Sequence, residues 1–308
     1  MKCLVLGGAG FLGSYLCKYL VDKGYNVILF DKNQPDYSSF NDMEDKIEVV
    51  INDFVECESF DELTKSVDVV FHLISTTVPR NSNQNMGFDI ESNVLPTLKL
   101  LNNCKKNDVK KVIFFSSGGT IYGITNNIPI SEVHSTDPIC SYGIHKLTIE
   151  KYLQLYWYLY RLDFVIMRIS NPYGGRQFLN ASQGAVTTFL ERALSNEPIH
   201  IWGDGNIIRD YIHVSDVARA ASKLIDYKGK YKVFNIGNGE GHSLNQICAQ
   251  IKTVLEREIK VNYEQAKKED VPINVLDINR AISELDWKPR VSLQEGIRLL
   301  IEDWSELI

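Results

Sequence analysis

Tyr142 and Lys146 stand in Ser141-Tyr142-Gly143-Ile144-His145-Lys146, at the i, i+4 spacing that brings two side chains to one face of a helix. An ammonium held beside a phenol favours the phenolate, lowering its pKa from ~10 toward the operating pH, so the pair can serve as a general base. Such pairs are also common on helix surfaces, and the segment upstream gives this one its meaning. Phe114-Phe115-Ser116-Ser117-Gly118-Gly119-Thr120-Ile121-Tyr122-Gly123 reads as a buried strand running straight into hydroxyls and glycines. In an open α/β sheet the carboxyl ends of the strands are where ligands bind. Ser116, Ser117 and Thr120 offer hydroxyls there, with capping of a strand end as the competing use of the serines.

A second cluster, Gly7-Gly8-Ala9-Gly10-Phe11-Leu12-Gly13, directly follows a short apolar strand and opens an amphipathic helix. Glycines spaced Gly7-x-x-Gly10-x-x-Gly13 permit a turn without Cβ, close approach of a pyrophosphate, and a helix N-terminus aimed at it. Asp31 ends the next strand, where a carboxylate accepts both adenosine ribose hydroxyls and repels a 2′-phosphate. This favours NAD over NADP, although Lys32 counts the other way. Asp53, in Asn52-Asp53-Phe54, is placed either to accept from the adenine amine or to close a turn.

These residues need elements to hold them. Leu4–Leu6, Val27–Phe30, Ile47–Val50, Val67–Leu73, Val112–Phe115 and Phe164–Met167 are apolar runs of the kind buried on both faces of a sheet. Phe11–Lys23, Asp89–Lys106 and Tyr142–Tyr160 have helical patterning between them. Alternation of this kind predicts an α/β fold, a Rossmann-type doubly wound parallel sheet. Beyond residue 170 the chain turns to Gly-, Asn- and Pro-rich loops and shorter elements, read as a smaller C-terminal α/β substrate domain. The expected division is 1–170 for dinucleotide and 171–308 for substrate, with a cleft between them and the chain crossing back near Arg209.

Composition narrows the classes. With 33 Lys+Arg against 39 Asp+Glu, the 308-residue chain has a net charge of −6 and no basic cluster to suit nucleic acid or an anionic membrane. The six cysteines are scattered without a C-x-x-C pair, the usage of a reducing cytosol, and no residue cluster has the spacing of a metal site. His72 and His213 read as satisfied strand-end histidines, and Cys140 has no base placed to activate it. The N-terminal apolar run is too short for a signal peptide or a membrane span, so the expectation is cytoplasmic.

The motifs GGAGFLGS at 7–14, SSGGTIYG at 116–123, YGIHK at 142–146, RISNPYG at 168–174, IWGDGNIIRDYIHVSDVA at 201–218 and VFNIGNGEG at 233–241 together resemble the extended short-chain dehydrogenases/reductases of the NAD-dependent epimerase/dehydratase group. Within it the chain is most similar to UDP-glucose 4-epimerase-like enzymes of bacterial surface-polysaccharide pathways. The resemblance implies a redox-neutral isomerase acting on a UDP-hexose through a transient 4-keto sugar, with retained NAD. Tyr142 would take the C4 hydroxyl proton, Lys146 would tune Tyr142 and hold the nicotinamide ribose, and Ser117 would bridge the sugar O4, with Ser116 and Thr120 as alternatives. It also places Gly7, Gly10, Phe11, Leu12, Gly13, Asp31, Lys32, Asp53, Phe54, Leu73, Ser75, Asn93, Ser116, Tyr142, Lys146 and Pro172 against the cofactor.

For the nucleotide sugar, the resemblance implies Asn171 and Arg209 at the diphosphate and Trp202 at the uridine, against a competing reading of Arg209-Asp210 as a surface ion pair. Lys267 stands where a second phosphate-binding arginine is expected, a point charge without the planar fork. Asn274 stands where some epimerases carry a bulky Tyr, which would leave room for an N-acetyl group. Gly118 departs from the Ser or Thr of the best-known epimerases, and Gly119 and Thr120 replace the Asp-Glu pair with which related 4,6-dehydratases eliminate water. Two other readings are a nucleotide-sugar oxidoreductase with exchanging NAD(H) and a non-catalytic NAD-binding regulator. The apolar surface of Asp89–Lys106 and Tyr142–Tyr160 predicts a homodimer joined through these helices.

Overall fold

Cys3, Leu4, Val5 and Leu6 are completely buried, as a strand covered on both faces must be. In the computed structural model, which describes residues 1–35, 46–175, 184–265 and 271–305, they form β1 (Lys2–Leu6) at the centre of a seven-stranded sheet. The other strands are β2 (Asn26–Asp31), β3 (Ile47–Ile51), β4 (Val69–His72), β5 (Lys111–Ser117), β6 (Asp163–Ile169) and β10 (Val233–Ile236), in the order β10-β6-β5-β4-β1-β2-β3. β1 pairs in parallel with both β2 and β4. Strand order therefore reverses at β1, the switch point at which doubly wound sheets hold ligands.

Helix α1 (Phe11–Asp22) buries Leu16, Cys17, Leu20 and Val21, the 3,4-spaced stripe of an amphipathic helix. The helix expected from Asp89 begins earlier and is not uniform. Asn85 accepts from the Phe88 N–H at 3.0 Å and caps α3 (Met86–Asp89), a π-helical turn spans Ile90–Val94, and α4 (Leu95–Lys106) follows with Pro96 in its first turn. Helix α5 (Ser141–Tyr160) packs Ile149, Leu153 and Tyr156 into the core formed by Leu4, Leu6, Ile28, Phe30 and Phe114. A buried lysine, Lys111, donates to the carbonyls of Leu224, Ile225 and Tyr227, closing the end of α7 (Val214–Ile225).

The chain divides into two compact units: Met1–Gly123, Ser135–Arg168 and Ala218–Phe234 in the first, and Ile124–His134, Ile169–Val217 and Asn235–Ile308 in the second. In the second unit β9 (Ile208–His213) is flanked by β7 (Asn171–Tyr173), β11 (Gly241–Ser243) and β13 (Ile273–Asn274), while β8 (Ile199–Trp202) pairs with β12 (Val261–Glu264). Its separate core joins Phe189, Leu190, Ile247, Ile251, Ile297 and Trp304 from α6 (Ala185–Leu194), α8 (Leu244–Leu255) and α10 (Leu293–Ser305). Among the described residues no helix is long and apolar enough to cross a membrane.

Candidate active site

Adjacent residues of a strand face opposite ways, and this separates the two serines at the end of β5. The Ser116 hydroxyl is buried and donates to Glu150 Oε1 at 2.6 Å. That carboxylate is itself gripped by Arg168, through Nε at 3.2 Å and Nη2 at 2.7 Å, and Arg168 Nη1 donates to the Tyr122 hydroxyl at 3.1 Å. Ser116 thus belongs to a buried network. Ser117 is half-buried at the strand end, and Thr120 Oγ1 is buried without a partner among the described residues.

Tyr142 and Lys146 occupy the first turns of α5, which starts beside that strand end. Lys146 is 2% exposed; its ammonium donates to the Phe115 carbonyl at 2.9 Å and lies 5.6 Å from the centre of the Tyr142 ring. Burial pushes Lys146 down to about 7, against the opposing pull of Asp89 and Glu150. Burial also raises the Tyr142 phenol, with Cys140 and Asp89 adding to the rise. The depression of Tyr142 expected from the spacing is therefore not produced by these residues alone: the amine is tied to a carbonyl, and desolvation disfavours both charged forms.

Sequence reasoning missed the group that organises this corner. Asp89 is fully buried, and its carboxylate accepts from the Thr77 hydroxyl, the Ser141 hydroxyl at 2.6 Å, His145 Nδ1 at 3.0 Å and the Asn93 amide at 3.2 Å. Asp89 and Asn93, four apart on one helical stretch, were the available signal. Asn93 is buried and holds the loop after β4: its Oδ1 accepts from the Thr76 N–H at 2.9 Å, and its amide donates to Thr76 Oγ1 at 2.8 Å. In that loop Ser75 donates to the Thr77 carbonyl at 3.0 Å, and the Leu73 N–H donates to Leu6 at 3.0 Å. His72 Nε2 meets Thr97 Oγ1 at 2.8 Å, whereas its Nδ1 has no partner among the described residues.

The glycine turn has the shape its spacing called for. A Cβ on Gly13 would sit 2.0 Å from the Gly7 carbonyl oxygen, so only glycine lets α1 begin this close to the turn. Gly7 adopts φ +88, and its N–H donates to the Phe30 carbonyl at 2.8 Å. Gly10 is the N-cap and brings no side chain to the first-turn amides that a helix leaves without internal partners; Phe11, Leu12 and Gly13 are those first residues. Asp31 accepts from the Ala9 N–H at 3.1 Å and the Asn33 N–H at 3.0 Å, which holds its carboxylate against the turn, while Lys32 is exposed. Asp53 accepts from the Val55 N–H at 2.7 Å, as a turn residue does. The Phe54 ring packs 5.2 Å from Phe60 and from His72, leaving only its backbone for a ligand.

In the second unit, β9 gathers three of the predicted residues: Asn171 on β7 pairs with Tyr211, and Asn274 on β13 pairs with Arg209 itself. The Asn171 amide donates to the Asp210 carbonyl at 2.9 Å, and Pro172 follows in β7 opposite Ile212. Arg209 and Asp210 do not form the surface pair considered above, because Asp210 is fully buried and accepts from the N–H groups of Asn238 at 2.7 Å, Gly239 at 3.2 Å and Leu276 at 3.3 Å. Burial raises it to about 6. Trp202 ends β8 on the other small sheet and is 48% exposed; Asn245 braces the loop after it by donating to the Asp204 carbonyl at 2.9 Å. Asn274 is buried, and Lys267 lies outside the described residues.

A family model described as NAD dependent epimerase/dehydratase family matches residues 3–237. The chain belongs to this family. A Methanocaldococcus jannaschii protein provisionally named UDP-glucose 4-epimerase is 36% identical over 98% of each chain. An Escherichia coli dTDP-4-dehydro-6-deoxyglucose reductase is 32% identical over 97% of this chain and 96% of its own. The crystal structure of the Thermotoga maritima UDP-glucose 4-epimerase with UDP-glucose superposes with a TM-score of 0.91 at 34% identity, covering 100% of this chain and 99% of that one. As a family member the chain is an NAD-dependent enzyme, and the Gly7–Gly13 cradle, closed to any Cβ at Gly13, fits a dinucleotide pyrophosphate.

Proposed function

We propose that this family member is a UDP-hexose 4-epimerase, an isomerase with Tyr142 as the acid–base group. The observation that carries the reading is the half-buried Tyr142 beside the buried Lys146 on the first turns of α5, next to a strand end that supplies hydroxyls and no carboxylic acid at Gly118, Gly119 or Thr120. Removal of water from the sugar ring would require such an acid and base; inversion at a carbinol carbon requires a single group that takes a proton and returns it. Bound NAD would supply the hydride acceptor and donor. The first-turn amides of α1 and the carboxylate of Asp31 would hold its pyrophosphate and ribose, and Lys146 would hold its nicotinamide ribose. Ser117 is the hydroxyl we assign to the sugar O4, since Ser116 is committed to Glu150. Asn171, Arg209, Trp202 and Lys267 are assigned to the UDP moiety.

Asn274 in place of a bulky residue supports acceptance of N-acetylhexosamines beside glucose and galactose. The exposed stripe of Ile144, Leu155, Tyr158 and Leu159 on α5, with Phe88 and Leu95 on the helix beside it, supports a homodimer joined through these helices. A cytoplasmic site of action, in the supply of sugars for a surface polysaccharide, completes the proposal. The test is incubation with UDP-Glc, UDP-Gal, UDP-GlcNAc, UDP-GalNAc and UDP-glucuronate separately, with products identified by proton NMR. Conversion without added cofactor is the expected result.

The E. coli reductase among the relatives favours a second reading, net oxidoreduction with exchanging NAD(H). Stoichiometric change in NADH absorbance during turnover would establish it in place of epimerisation.

A further inference from the structure

We propose that Asp89 is a positioning residue for Tyr142 and Lys146: its carboxylate joins the loop after β4, the π-helical turn and the start of α5 into one rigid corner. The inference deepens the function proposed above and rests on Tyr142 being the acid–base group. Four donors converge on one group with no exposure to solvent: Thr77 from the loop, Asn93 from the π turn, and Ser141 and His145 from α5. Ser141 and His145 bracket Tyr142, so two of the four bonds fix the turn from which the phenol projects.

The link through His145 is specific. An ionised carboxylate only accepts, so the imidazole must carry its proton on Nδ1 and leave Nε2 as an acceptor. That Nε2 is buried without a partner among the described residues, and the ring stands edge-on to Tyr142 with centroids 5.1 Å apart. Burial and the neighbouring Lys146 hold His145 down to about 4 despite Asp89, so it is a neutral wedge. Burial alone would raise Asp89, but the hydroxyls of Ser141 and Thr77 together with His145 keep it below the usual carboxylate range. The charged groups around the pair are then Asp89 from α3 and Glu150 from α5, the latter paired with Arg168 from β6, with His145, His72 and Cys140 neutral.

The test uses the NAD-containing enzyme as purified, with D89N, H145A and H145N, the last keeping a donor near the Nδ1 position. With whichever of the five UDP-sugars the wild type converts, D89N and H145A are expected to lose about tenfold or more in kcat with KM little changed. H145N should regain most of the H145A loss. Removing the Asp89 charge lowers the pKa of both Tyr142 and Lys146, so the D89N pH–kcat profile should move about one unit toward acid. Imidazole ¹⁵N NMR gives a readout independent of turnover: His145 in the Nδ1–H form in wild type and redistributed in D89N. Wild-type kcat and profile in D89N and H145A overturn the inference, as does a loss fully matched by lost NAD and lowered Tm with an unmoved profile. If the wild type converts none of the sugars, the proposed function fails on its own account, and an unchanged His145 tautomer in D89N overturns this inference separately.

Discussion

Ser116 donates its hydroxyl to Glu150 at 2.6 Å, while Ser117, one residue on, faces the other way at the end of the same strand. The two serines should therefore fail differently. S117A is expected to keep its melting temperature and lose about ten- to a hundredfold in kcat. S116A should leave Glu150 short of a buried donor and lose about 1–3 kcal/mol of stability with the smaller effect on turnover. Steady-state kinetics beside denaturant melts distinguish them, and the reverse pattern would reassign the hydroxyl.

Replacing the phenol is the sharper test of chemistry. Y142F should fold, bring NAD through purification and lose at least about a hundredfold in kcat. Activity close to wild type in this variant would return the chain to a regulatory or structural reading.

At the glycine turn, G13A forces a methyl group into the Gly7 carbonyl, 2.0 Å from the ideal Cβ position. The expected result is a loss of about 1–3 kcal/mol from overpacking, together with loss of NAD released on denaturation of the purified protein. A variant that retains stoichiometric NAD would show that the cradle is not the pyrophosphate site.

Buried histidines give the stability a definite pH dependence. His72, His145 and His213 are pushed by burial from 6.5 to about 3, about 4 and about 4 respectively. Below 6.5 the unfolded chain takes up protons that the native state refuses, so the stability present above 6.5 is lost as pH falls through this window toward 4. Asp210, raised from 3.8 to about 6, opposes this, since its contribution grows as pH falls from 6 to 3.8. Glu132, which burial also raises, acts in the same direction as Asp210; the three histidines outweigh the two carboxyls, and Tm should decline from pH 6.5 to 4.5 in calorimetry. H213Q should flatten the slope; a Tm independent of pH over that range would contradict the assignment.

The exposed α5 stripe makes a prediction of its own. Light scattering at micromolar concentration should give a dimer mass, and L155E with L159E should give a monomer. A monomeric wild type would remove the helix-pairing proposal without touching the site.

Six of the seven strands of the large sheet were legible because they are apolar runs, and the helices between them keep one apolar stripe; β10 (Val233–Ile236) was not, since it returns to this sheet from beyond residue 170. The glycine turn and the Tyr142–Lys146 spacing were legible because each is local. Asp89 was not, since its four donors come from three separate segments and no periodicity marks a buried carboxylate. The difference between Ser116 and Ser117 was likewise hidden, because it depends on Glu150 and Arg168, which only folding brings beneath the strand. The electrostatics of Tyr142 were misjudged for a related reason: spacing reports proximity, whereas burial sets the cost of charge.

The π-helical turn at Ile90–Val94 holds one residue more than a regular turn would. Deleting a single residue there would let the helix run on as ordinary α-helix, with its hydrogen bonds intact and the apolar stripe of α4 still in the core. Because the wide turn absorbs the extra residue, the segments on either side would keep their facing, and the deletion would move only the side chains inside it, Ser92 and Asn93 among them. Asp89 would stay toward Ser141 and His145, whereas the Asn93 amide that holds Thr76 would lose its placement. The turn thus adds one side chain to the corner without re-aiming either half of the helix, and shortening it would leave a sound protein in which the loop after β4 has lost its tether.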